Sequence, residues 1–142
     1  ALAERDAERL SHVRLTAAAR TERGYQRLAT SAPGDEAAIA EAALESADRA
    51  RSPALVAHAR AVALRLYARA GAHRADLDVE IEGGGLEAAA ALSVARYEVG
   101  GRRDEDRTRV VVAVDAFVRS LGDLGDTAPA REGFARRYLF AG

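Results

Sequence analysis

Between Ser52 and Gly71 the chain carries an unbroken helical repeat, and this stretch limits the fold more than any other. Leu55, Ala59, Val62 and Leu66 follow one another at steps of four, three and four, with Val56, Ala63, Tyr67 and Ala70 widening the same face. Ser52 supplies an N-cap hydroxyl, Pro53 occupies the first helical position where its missing N–H is not needed, and Gly71 supplies a C-terminal stop. A helix this broadly apolar belongs at the centre of a core. Alanine dominates the hydrophobic share of 49%. It is the best helix former and buries little side chain, so alanine-rich helices approach closely and the larger residues mark the seams.

The flanking segments follow the same period. Residues 2–31 read as one long helix with a modest stripe through Leu10, Val13, Ala17 and Leu28, interrupted at Arg20 and Thr21, closing into the turn signal Ser31-Ala32-Pro33-Gly34. Gly34-Asp35-Glu36 opens a second, thinly apolar helix through Ile39, Ala43, Ala47 and Ala50. Leu86, Ala90, Val94 and Tyr97 mark a fourth, ending at Gly100-Gly101. Val110, Val114, Phe117 and Leu121 mark a fifth, although the valine run over 109–114 is also compatible with a buried strand. Thr127 and Pro129 start a last short helix bearing Phe134, Tyr138 and Phe140. Near 76–82 the period changes: Leu77, Val79 and Ile81 alternate with Asp76, Asp78, Glu80 and Glu82, the pattern of one short strand with an acidic face. The expected architecture is mainly α: a single-domain bundle of five or six helices, with the long helix 2–31 packed on a helical core over 35–140; with no second alternating segment to pair with, 76–82 is either a short strand at an edge or dimer seam or no strand at all.

The 142 residues suffice for one domain, and the 30% share of charged residues suits a globular chain. Acidic and basic residues nearly cancel, leaving a formal net charge of −1, so no field of one sign exists to attract nucleic acid. Every basic residue is arginine and asparagine is absent, a bias that fits high-GC codon usage in a bacterium and weakens arginine content as a binding signal. Arg102, Arg103, Arg107 and Arg109 are interleaved with Asp104, Glu105 and Asp106. The absence of cysteine excludes disulfides, thiol catalysis and cysteine metal sites. No apolar run has the roughly 20 residues needed to span a bilayer, and ALAERDAERL is unlike a signal peptide, so a cytoplasmic location is expected.

No arrangement of residues marks a catalytic or metal centre. HExxH and paired Glu-x-x-His motifs are missing, so no metal and no cofactor are implied. The acidic stretch 76–82 spaces alternate carboxylates about 6.5 Å apart along a strand, too far to encircle a cation without a second element. Gly83-Gly84-Gly85 lacks both GxxxxGK[ST] and GxGxxG, sits among Glu80, Glu82 and Glu87, and reads as a connector. His12 follows Ser11 on a long helix, but the acidic residue and proline of a phosphotransfer helix do not follow it. None of the serines lies in a nucleophile elbow. His58 edges the apolar face of the central helix and is the one histidine placed to act as a base, ligand or buried hydrogen-bonding group.

Three expectations follow. The thin faces of the first two helices leave surface for another chain, which favours a non-catalytic interaction or assembly module, either a homodimer or a subunit of a larger assembly, with Leu10, Val13, Leu28, Phe134, Tyr138 and Phe140 at the seams. The alternative is a small-molecule sensor or self-resistance domain, with a pocket enclosed by His58, Tyr67, Tyr97 and Phe117. The third is a small helical enzyme using His58.

Overall fold

The structure, a computed structural model, describes residues 2–30, 34–122 and 125–140. It contains α1 (Leu2–Leu28), α2 (Glu36–Ala50), α3 (Pro53–Arg69), a single 3-10 turn (Ala75–Leu77), α4 (Leu86–Val99), α5 (Asp104–Ser120) and α6 (Ala128–Phe134), which runs directly into a π turn (Ala135–Leu139). The mainly α architecture expected from periodicity is the one observed, with six α-helices among the described residues.

Helix α3 is central because three helices pack on it: α1, α2 and α4. Its ends form as the sequence dictates. Ser52 Oγ accepts from the Leu55 N–H at 3.4 Å, Pro53 is the first helical residue, and Gly71 adopts the left-handed region at φ 85°. The Ala72 N–H then reaches back to the Tyr67 carbonyl at 2.8 Å, closing the helix end. Alanines set the spacing: Ala43, Ala47 and Ala59 form a separate buried seam between α2 and α3. At the α1–α3 crossing, a Cβ on Gly24 would lie 2.9 Å from the Val62 side chain.

The core runs from Tyr25 and Leu28 through Val62, Leu64 and Leu66 to Val94, Val110, Val114, Val118, Phe134 and Tyr138. The valine run of α5 is helical, not extended. Val110, Val114 and Val118 are buried, while Val111 and Val112 face solvent, which is the 3.6-residue period rather than alternation. Acidic Asp104, Glu105 and Asp106 at the helix start and Arg119 at its end complement the macrodipole.

The strand near 76–82 does not form. No described segment offers a partner ladder, and an isolated strand leaves its backbone groups unpaired. Local ion pairs shape the chain instead. Arg74 grips both carboxylate oxygens of Asp76 at 2.9 Å, and Arg96 on α4 pairs with Asp78 and, at 3.6 Å, with Glu80. Leu77 alone of the three alternating apolar residues is fully buried, within the 3-10 turn. The glycine run that follows is a packed turn and not a loose connector. Gly83 and Gly85 occupy positive φ, and a Cβ on Gly84 would sit 2.9 Å from the Ala57 Cβ and 3.0 Å from the Ile81 carbonyl oxygen. The first helix ends at Leu28, three residues before the expected limit, and the Ser31-Ala32-Pro33 turn signal lies outside the described residues.

Candidate functional site

His58 lies where three distant parts of the chain meet. Tyr25 comes from α1, Glu87 from the first turn of α4, and Tyr138 from the π turn. The Tyr25 hydroxyl is 3.5 Å from His58 Nδ1, at the outer limit of a hydrogen bond. The Tyr138 ring stacks parallel to the imidazole at 6.2 Å, meets the Tyr25 ring edge-on at 5.2 Å and touches Phe134 at 4.6 Å. The Tyr138 hydroxyl donates a short hydrogen bond to Glu87 Oε1. Burial lowers the His58 pKa, partly offset by the Glu87 carboxylate, and keeps the imidazole neutral. Burial also raises both phenols, Tyr138 further through its bond to Glu87, so neither ionises near neutral pH. The cluster therefore combines a neutral imidazole, two neutral phenols and one carboxylate acceptor.

Tyr138 is also held through its backbone. Arg65 Nη1 donates to the Tyr138 carbonyl at 2.8 Å, and the Arg65 guanidinium lies 5.1 Å from the Phe140 ring centre. Burial lowers the Arg65 pKa, the cost of placing a guanidinium in the interior. On the other side Arg137 pairs with Glu22 of α1 at 3.2 Å. A single turn thus ties α1, α3 and α4 together.

The four residues expected to enclose a pocket do not converge. His58 and Tyr67 are nine residues apart on α3, which places them half a revolution out of phase and about 13.5 Å apart along the axis. Tyr67 instead lies beneath the Arg74 guanidinium at 4.6 Å, Tyr97 packs on the core from α4, and Phe117 meets Phe134 at 6.1 Å.

The expected seam residues also divide. Leu28, Phe134 and Tyr138 are 2%, 4% and 1% exposed and pack within this chain's own core. Phe140 is half-buried against that core, leaving Leu10 and Val13 as the half-exposed pair on α1. Burial of the C-terminal aromatics has a simple cause: the π turn aims Tyr138 inward, and both its polar ends find partners there.

A different surface is open to solvent. Helices α1 and α2 run antiparallel, as three cross-links show. Arg27 pairs with Asp35 at 2.9 Å and Glu36 at 3.1 Å, Arg20 reaches Ser46 Oγ, and Arg14 Nε donates to the Ala50 carbonyl at 3.3 Å. Because α2 ends at Ala50, residues 2–13 of α1 project about 18 Å beyond it. Where this projection meets the first turn of α3, Ala7, Leu10, Ser11, Arg14, Leu15, Ala18 and Leu55 line an open groove of about 520 Å³. Leu15 is 69% exposed there. Leu15 and Ala18 fall outside the stripe of α1 that faces the body, and Leu55, which the helical period of α3 assigns to the core, is only half-buried at this edge.

A second cleft, of about 460 Å³, lies between α4, the start of α5 and residues 73–80. Its charges satisfy one another: Asp106, buried, accepts from Arg103 at 3.3 Å and Arg109 at 3.2 Å, while Arg96 holds Asp78 and Glu80. Of the arginines in the basic cluster, Arg102, Arg103 and Arg109 are thus engaged with neighbouring acids, Arg102 with Glu98 at 3.2 Å. Among the described residues no group of three or more histidine, aspartate or glutamate side chains could hold a metal ion, and no helix is long and apolar enough to cross a membrane. No protein-family model, curated protein or solved structure matches the chain.

Proposed function

We propose that this chain is a non-catalytic helical assembly module whose docking surface is the stretch of α1 from Ala7 to Ala18 together with the first turn of α3. The observation that carries this reading is the groove beside Leu15, with Leu10, Leu55, Ala7 and Ala18 forming an apolar strip that is left open to solvent among the described residues. Burying Leu15 against a partner contributes about 2 kcal/mol, and alanines at the strip's centre let a second helix approach closely.

The test uses a photo-crosslinking amino acid at Leu15 in the producing cell, with the same group at exposed Ala116 on α5 as a control, alongside the mass of the purified chain by sedimentation. Crosslinks to protein from position 15, absent at 116 and lost when Leu10 is also changed to Glu, are the expected result. A monomer with no crosslink above control would overturn the proposal.

A further inference from the structure

Resting on that docking reading, we infer that the partner is a second copy of this chain, its α1 laid antiparallel across the first about a two-fold axis near Ser11. The charge order along the projection is the first reason. Acids outnumber bases over residues 2–8, where Glu4, Asp6 and Glu8 accompany Arg5, while residues 9–15 carry Arg9 and Arg14 and no acid. An antiparallel copy sets the acidic stretch of each helix against the basic stretch of the other; a parallel copy would set like against like. A two-fold interface requires such self-complementarity of one patch.

Shape is the second reason. Ala7, Ser11 and Ala18 fall along the middle of the exposed strip, with Leu10 and Leu15 on its flanks. With the axis at Ser11, Leu15 of each copy meets Ala7 of the other, and Glu8 meets Arg14. Large residues then oppose small ones, which lets the helices pack closely without leaving a void. Opposed helix dipoles add to the same preference.

The absence of cysteine makes the test clean, because every thiol in a variant is an introduced one. Under mild oxidation Ser11→Cys is expected to give a disulfide-linked dimer, and a mixture of Ala7→Cys and Leu15→Cys chains is expected to give predominantly the mixed dimer, since a bridge needs Cα atoms about 4.4–6.8 Å apart. Leu15→Glu is expected to weaken sedimentation-detected dimerisation at least about tenfold while leaving helicity by circular dichroism unchanged. Separate dimers of each single-cysteine chain without mixed dimers would overturn the antiparallel arrangement. A purified chain that stays monomeric at high micromolar concentration, while position 15 crosslinks a different protein in cells, would overturn self-pairing and leave the docking reading standing. A monomer with no crosslink from position 15 would sink both.

Discussion

Arg65 and Tyr138, 73 residues apart in the chain, are joined by a buried hydrogen bond from the guanidinium to the tyrosine carbonyl at 2.8 Å. The bond places a charged donor in the interior, and it satisfies a carbonyl in the π turn, where regular helical pairing is lost. Removing the donor strands that carbonyl. Arg65→Ala is expected to lower unfolding stability by about 2–4 kcal/mol through the lost charge-assisted bond and lost packing, read as a reduced urea midpoint. Arg65→Lys, which keeps charge but not the planar fork, is expected to recover less than half of the loss. A midpoint unchanged in Arg65→Ala would show that the turn is held elsewhere.

Tyr138 separates two contributions that a single truncation would merge. Tyr138→Phe keeps the ring contacts with Tyr25, Phe134 and His58 and removes only the hydroxyl bond to Glu87, at an expected cost of about 1–2 kcal/mol. Tyr138→Ala is expected to cost about 3–5 kcal/mol. Because the ring is part of the chain's own core, the alanine variant should lose thermal stability and protease resistance together. Loss of self-association with unchanged stability would instead mark Tyr138 as an interface residue.

The pH dependence follows from His58. Burial lowers its folded-state pKa, so the unfolded chain binds a proton more readily, and stability falls as pH drops below the unfolded value of about 6.5. The Glu87 carboxylate moderates the effect and Arg137 adds to it. His58→Gln, which cannot titrate, is expected to flatten the decline between about pH 6.5 and 5 in urea midpoints. The two raised phenols act at the other end: their stabilisation of the neutral form is lost as pH rises past about 10, the unfolded value. An unaltered acid-side slope in His58→Gln would assign the dependence to carboxylates.

Thr21 offers a gain. It is 5% exposed on the buried face of α1, and its hydroxyl has no hydrogen-bond partner among the described residues. Thr21→Val keeps the shape and removes the unsatisfied group, so the melting temperature should rise, corresponding to about 1 kcal/mol. A fall would mean the hydroxyl has a partner, such as an ordered water.

Gly24→Ala tests the closest helix approach. The added methyl would lie 2.9 Å from one Val62 methyl and 3.2 Å from the other, and a β-branched side chain has no alternative rotamer that is cheap in a helix. The expected loss is about 1–3 kcal/mol, with partial rescue by Val62→Ala in the double variant.

Helices marked by their own caps and period are legible in the sequence: α3 runs from Pro53 to Arg69 between the predicted Ser52 cap and Gly71 stop. Alternation over 76–82 left strand and no strand both open because a strand is defined by its partner, and the local arginines Arg74 and Arg96 could be weighed only in three dimensions. His58 was visible as the edge of an apolar face. Its neighbours were not, since Tyr25 lies 33 residues away and Tyr138 bonds to a carboxylate 51 residues away. Tyr25 carried a usable signal, three residues before Leu28 and eight after Ala17, hence beside the apolar stripe. Leu10 and Val13 lie on the helix that projects, but the face that stays open turns on Leu15, which falls between Val13 and Ala17 and so points away from the periodic stripe.

The π turn also bears on the order in which the molecule assembles. Helices α1, α2 and α3 are sequential neighbours that touch one another, so their pairing closes only short loops. The clasp of Arg65 on Tyr138 closes a far longer loop and relies on walls built by α1, α3 and α4. Its expected place is at the end of folding. Mutations at Tyr138 should then speed unfolding while leaving the folding rate nearly unchanged, whereas changes along α3 should slow folding itself.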